Sequence, residues 1–187
     1  SLPPQNFTYF ADLGKDIDFI KKSFKSQAKC LNSYVDFFYL DVMSSLKECI
    51  LGINSIKSFK KDFLVGIHVR KNGKLPSGEN LLSVVKKLEK YKPMGIIVSC
   101  VSIEDVAFVI KGLRKLKTPY GFKINAFEHI PAGWKPDSNN PKVQLGKRDD
   151  LTPNKFAKIC IKFNKLGANI LGGCCEITPS HIKKLKS

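Results

Sequence analysis

The chain has 187 residues, 43% of them hydrophobic, which suits a single globular domain with a real core. No run approaches the stretch of about 18 apolar residues that a membrane span needs, and the N-terminal SLPPQNFTYFADLG lacks the basic-then-apolar layout of a secretory signal. The expectation is therefore a soluble, cytoplasmic protein, whose six cysteines are buried thiols or metal ligands rather than a disulfide scaffold. The formal net charge of +16 raises the question of a nucleic-acid footprint. The basic residues are mostly lysines on helix-like segments (KKSFKSQAK, VVKKLEKYK, IKGLRKLK), so a lysine-rich solvated surface is preferred and nucleic acid is not an expected partner.

Residues 15–32 set Ile17, Ile20, Phe24, Ala28 and Leu31 at helical spacing. VDFFYLD (35–41) is a short apolar run of strand length. A helical stretch from Ser44 to about Ser58 follows, then a second apolar run, FLVGIHV (63–69). The turn KNGKLPSGEN leads into the helix LLSVVKKLEKY and the strand MGIIVSC (94–100). IEDVAFVIKGLRKL reads as a helix ahead of the strand YGFKINAF (120–127). Residues 128–150, rich in Pro, Gly, Asn and Asp, read as a functional loop rather than a domain boundary, because the rhythm resumes directly after them. TPNKFAKICIKFNKLG opens with a Thr cap and a Pro at the first helical position. The strand ANILGG (168–173) and a helix from Thr178 close the chain.

Five apolar runs alternating with helices predict an α/β fold. Runs without polar alternation point to strands buried on both faces, hence to a parallel, helix-covered sheet, with the strands as consecutive neighbours joined by right-handed crossovers.

Two of the strands end in cysteine: IIVSC at Cys100, and ILGGCC at Cys174 and Cys175. Side chains at the carboxyl ends of parallel strands converge on the ligand crevice. Three thiols from two strand ends can meet there, and zinc accepts such soft ligands while leaving a fourth tetrahedral position open. The pair Gly172–Gly173 would let the backbone come close and turn sharply just before the ligands. Cys30, Cys49 and Cys160 lie within helical patterns and read as small core residues.

GANILGGCCEITPSHI resembles the C-terminal signature of the homocysteine S-methyltransferase family, zinc-dependent (β/α)8 barrel enzymes. The likeness extends to GIIVSCVSIEDV, FLVGIHVRKNGKLPSGENL, GFKINAF and LGKRDDLTPNKFAKICIKFNKLGA, in the right order from about residue 16. It implies zinc-dependent transfer of a methyl group from a sulfonium or quaternary ammonium donor to the thiol of homocysteine, giving methionine. Homocysteine and a small-molecule donor are then the partners. Cys100, Cys174 and Cys175 fall on the family's zinc ligands, and Asn125 falls on its pocket Asn. Asp41 falls on the Glu of a Glu-Thr pair that helps bind the amino acid. Two departures touch substrate binding: Asp41-Val42 replaces Glu-Thr, and Ser99 replaces the Asn before the zinc cysteine.

The five strands would be strands four to eight of a TIM barrel, so residues 1–187 would form one homocysteine-binding domain lacking the N-terminal part of the barrel and its Asp-Gly-Gly segment. A piece of a longer chain is preferred over a part-barrel. His68, His129 and His181 carry no assignment, and His181 is expected to face solvent or the start of the last helix. Trp134 is expected to be an exposed or packed loop residue, with cation–π contact to a methyl donor as the alternative. Two rival readings are an inactive or truncated relative that keeps the fold, and a basic nucleic-acid-binding protein with incidental thiols.

Overall fold

The computed structural model describes residues 1–14, 16–131, 134 and 145–186; most of the 128–150 loop lies outside them. The chain order is α1 (Ile17–Leu31), β1 (Phe38–Met43), α2 (Leu46–Ile56), β2 (Phe63–Ile67), α3 (Leu81–Leu88), β3 (Gly95–Val101), α4 (Ile103–Leu113), β4 (Tyr120–Ile124), α5 (Pro153–Lys165), β5 (Ile170–Gly173) and α6 (Pro179–Lys186). The strands form one sheet in the order β1-β2-β3-β4-β5, and every pair is parallel, as the apolar runs predict.

Local signals start the helices. Asp16 accepts from the backbone N–H of Phe19 at 2.7 Å, Ser45 from Glu48, Asn80 from Leu82 and Ser83, Ser102 from Asp105, and Thr152 from Lys155. Each cap satisfies an N–H that the first helical turn leaves orphaned. The helices bury one stripe each, α1 through Ile20, Phe24 and Ala28. These stripes meet alternate strand residues, including Leu40, Val65, Ile67, Ile96, Val98, Phe122 and Ile124, in one apolar cluster. The helix layer therefore covers one face of the sheet. The opposite face carries Tyr39, Asp41, Gly66, Ser99 and Lys123.

Strand ends shift from the sequence expectation. The first strand begins at Phe38 rather than residue 35, and the fourth stops at Ile124. Asn125 N–H makes the last bond of the β3–β4 ladder, to Val101 O at 2.9 Å, and beyond it Ala126 N–H bonds Cys175 O at 2.9 Å. The N-terminal segment docks on the outer edge of β1. Leu2 N–H reaches Tyr39 O at 2.7 Å, Asp41 N–H reaches Leu2 O at 3.0 Å, and the Leu2 side chain is fully buried.

One residue departs from its sequence reading here. Cys49 and Cys160 are core residues, but Cys30 is exposed, because the buried stripe of α1 runs through Phe24 and Ala28 and leaves residue 30 outside it. His181 is buried and faces the start of the last helix, the second of its two expected places. Its Nδ1 accepts from Thr178 N–H at 3.1 Å and its Nε2–H donates to Leu151 O at 2.8 Å, tying the start of α6 to the segment before α5.

One buried carboxyl makes stability depend on pH. Glu48 in α2 accepts from Ser44 N–H at 2.7 Å, yet burial pushes its pKa up to about 7. Between its ordinary value and 7 the folded state holds a proton that the unfolded state has released. This contribution to stability is complete below the ordinary carboxyl pKa, falls as pH rises to 7, and is flat above it. Glu48→Gln keeps the acceptor without the charge. Urea midpoints should show it matching wild type near pH 4.5 and gaining on it up to pH 7, by on the order of 3 kcal/mol. A constant difference across that window would show that Glu48 is ionised throughout.

Candidate metal centre

Strict alternation along β3 would turn Cys100 into the helix layer beside Ile96 and Val98. A bulge prevents it. The β3–β4 register runs Ser99↔Lys123 and then Val101↔Ile124, so Cys100 is an extra residue, at φ +54. The β1–β2 pair has the same device: between Leu40↔Val65 and Met43↔Ile67 one extra residue enters β1, and Val42 takes φ +59. Left-handed backbone is costly for a residue with a Cβ, most of all a β-branched one. Tyr9 at φ +66 and Glu176 at φ +63 adopt it at the same end of the sheet.

The bulge points the Cys100 sulfur at the turn after β5. Its Sγ lies 3.7 Å from Cys175 Sγ, which lies 3.7 Å from Cys174 Sγ, and all three sulfurs fall within 4.8 Å of one another. A tetrahedral ion with bonds of about 2.3 Å to sulfur sets its ligands about 3.8 Å apart. The three thiols are free of disulfides and could hold one soft metal ion. They share charge unevenly. Hydrogen bonds from Cys174, Cys175, Tyr9 and Asn125 hold Cys100 well below the ordinary thiol pKa, against its burial. The contact with Cys100 in turn pushes Cys174 up, and Cys175 to about 11.

The turn itself differs from the sequence reading. Neither Gly172 nor Gly173 has positive φ; the left-handed residue is Glu176, after the thiols. Gly173 serves a close approach, since a Cβ there would lie 2.2 Å from the Ile177 side chain. At Gly172 a Cβ would meet nothing within 4 Å, so that glycine borders open space. Backbone bonds from Cys174 N–H to Ile124 O (2.7 Å) and from Ala126 N–H to Cys175 O (2.9 Å) pin the turn to the end of β4.

Around the sulfurs stands a second set of groups. Tyr9 Oη lies 3.0 Å from Cys100 Sγ and Asn125 Nδ2 lies 3.7 Å from it, while Asn125 Oδ1 accepts from Phe127 N–H. His68 Nδ1–H donates to Cys100 O at 3.1 Å and leans to Ser99 O at 3.3 Å, bracing the bulge; burial pulls its pKa down. The Tyr9 ring packs on His68 at 4.6 Å and on Trp134 at 5.9 Å. Trp134 is thus a packed loop residue, and what it packs with is the thiol cluster of Tyr9, Val42, Cys100, Cys174 and Cys175. A cavity of about 540 Å³ opens beside Cys100, bordered by His68, Asp105, Asn125, Phe127, His129 and Arg148.

The remaining expected site residues lie one register row below. Asp41 ion-pairs with Lys123 across the polar face, and Ser99, fully buried, shares a hydrogen bond with Tyr39 Oη. Gly66 makes room for that bond, since a Cβ there would sit 2.5 Å from both hydroxyl oxygens. The sequence reading missed Tyr9, Tyr39 and Lys123. Tyr9 lies ahead of the first periodic segment. Tyr39 and Lys123 sit inside apolar runs, where their distance from Ser99 and Asp41 along the chain hides the contact.

The chain is thus a parallel α/β sheet protein with three thiols gathered at its carboxyl edge, one of them aimed by a bulge, that could hold a metal ion. The chain matches the sequence model of the homocysteine S-methyltransferase family over residues 1–187, and it belongs to that family. The match begins at Ser1, further upstream than the motifs that carry the resemblance. It therefore takes in Leu2 and Tyr9. No curated protein matches the chain. Family membership points to a methyltransferase acting on homocysteine. No helix among the described residues is long and apolar enough to cross a membrane.

Proposed function

We propose that this chain transfers a methyl group from a sulfonium or quaternary ammonium donor to the thiol of homocysteine, with zinc held by Cys100, Cys174 and Cys175. The observation that carries the reading is the convergence of these three sulfurs at tetrahedral spacing. In the same reading the five strands are the last five of an eight-stranded barrel, with the thiols at the carboxyl end where such folds place their sites. Zinc held by Cys100, Cys174 and Cys175 would supply the deprotonated state of the substrate's sulfur at neutral pH, the thiol proton passing to solvent. The carbon–sulfur bond then forms as the methyl group leaves its donor, and the bonding pair returns to the donor as a neutral sulfide or amine.

The chain's own residues orient and shield. Tyr9 Oη–H and the Asn125 amide donate to Cys100, draining charge from that ligand and holding its direction. His68 and the bulge fix the Cys100 backbone. Asp41 faces the substrate's ammonium group, and Ser99, through Tyr39, shapes the floor of the pocket. The cavity beside Cys100 is the place for the methyl donor. The test measures zinc by elemental analysis and methionine formation from homocysteine with S-methylmethionine, betaine and S-adenosylmethionine in turn. Zinc at one ion per chain with turnover on one donor is the expected result. Protein that binds zinc and turns over no donor would mark an inactive relative.

A further inference from the structure

Lys123 and Asp41 reach one another from β4 and β1 across the polar face of the sheet. Lys123 is paired in register with Ser99 on one side and Gly172 on the other, one residue before Cys100 and two before Cys174. It therefore sits directly beneath both thiol-bearing turns. The open space at Gly172 lies beside it on the same face. Asp41 spends one carboxylate oxygen on Lys123, and its other, Oδ1, is buried without any hydrogen-bond partner. A buried carboxylate oxygen left unpaired is unfavourable and calls for an explanation, and a ligand's donor group is one that fits here. Lys123 keeps its proton: burial works against the charge, and the bond to Asp41 outweighs it.

We infer that Lys123 and Asp41 act together as a clamp for the two charged groups of the amino-acid substrate. Lys123 takes the α-carboxylate over Gly172, and Asp41 takes the α-ammonium. This rests on the proposed homocysteine reading and adds the carboxylate partner to it. The two groups of an α-amino acid sit on one carbon, so they match an ion pair laid head to tail against them. Rotation of the Asp41 carboxylate can present its unpaired oxygen while the other keeps Lys123. Lys123 is then a specificity-determining residue that selects zwitterionic thiols.

Calorimetric titration of the zinc-loaded full chain separates the possibilities. The ligands are L-homocysteine, 3-mercaptopropylamine (which lacks the carboxylate) and 4-mercaptobutyrate (which lacks the ammonium). Wild type should bind homocysteine about tenfold or more tighter than either, the usual worth of a charge-assisted hydrogen bond. Lys123→Met should erase the preference for homocysteine over 3-mercaptopropylamine while keeping the preference over 4-mercaptobutyrate. Lys123→Arg should restore part of it. Gly172→Ala, which fills the open space, should weaken homocysteine more than 3-mercaptopropylamine. Equal binding of homocysteine and 3-mercaptopropylamine by wild type overturns the clamp without use of any variant. Tighter homocysteine binding by Lys123→Met overturns it too, and makes the ion pair a block on Asp41. If wild type binds zinc but none of the three thiols, the homocysteine reading itself has failed, and the clamp with it.

Discussion

Replacing Cys174 and Cys175 together by alanine is expected to abolish metal retention. Two of the three sulfurs that lie within 4.8 Å of one another are lost, and Cys100 alone offers one protein ligand. Zinc held by several cysteines contributes on the order of 10 kcal/mol of apparent binding energy at neutral pH, so losing most of the donor set lowers affinity by many orders of magnitude. The effect should appear in stability as well as activity. Added zinc should raise the melting temperature of wild type, because an ion bound only by the folded chain stabilises it by mass action. The double variant should show no such rise and no methionine formation. Cys100→Ala should behave the same way despite its 74-residue separation from Cys174 along the chain. The other three cysteines are the controls. Cys49→Ala and Cys160→Ala remove a buried sulfur and should cost about 1 kcal/mol without touching zinc. Cys30→Ala, on the exposed side of α1, should cost less still. Full zinc occupancy in the double variant would remove the metal site from the proposed mechanism.

How much of this was legible in the sequence follows from which features are local. The strands appear as apolar runs because both of their faces are shielded, β3 being buried at every residue, and the parallel order follows from their alternation with helices. The adjacency of Cys174 and Cys175 is written in the sequence, as is the strand-end place of Cys100. Its direction is not. Period-two alternation in GIIVSCV assigns Cys100 to the helix side, and only the extra residue in β3 turns it toward the turn after β5. Bulges with left-handed residues are usually announced by glycine. Here Cys100 and Val42 occupy those positions, so no local signal marks them. The Lys123–Asp41 pair was hidden for another reason: its partners come from β4 and β1, strands that are not neighbours in the sheet, so the spacing within neither run announces the contact. Glycines mislead in the opposite direction. Gly172–Gly173 reads as a sharp turn, yet what those positions provide is an open space and a close approach of Ile177.

Gly121 should be the position where the smallest substitution does the greatest harm to both fold and site. It opens the β4–β5 ladder opposite Ile170, and a Cβ added there would lie 1.9 Å from Ile170 O and 2.6 Å from Ile170 Cβ. The first of these is backbone, so no rotamer change relieves it, and β5 must move away from β4. β5 has only four residues, paired with β4 from Gly121↔Ile170 to Ile124↔Gly173. Losing the first pair loosens the rest. Gly121→Ala is expected to destabilise the chain by on the order of 3 kcal/mol or more, in the range of overpacked or strained core sites. The consequence reaches the thiols although Gly121 lies three register rows before Gly173, the residue ahead of Cys174. The bond from Cys174 N–H to Ile124 O, 2.7 Å long, holds the turn only while β5 keeps its register. When β5 shifts, Cys174 and Cys175 move and Cys100 stays with β3, so the sulfur spacing that suits one ion is lost. Zinc affinity should therefore fall together with the urea midpoint. Gly172→Ala, on the same ladder but facing open space, should leave both nearly unchanged. Wild-type stability and zinc binding in Gly121→Ala would mean that β5 can shift outward without cost, and that the metal centre does not depend on the β4–β5 ladder.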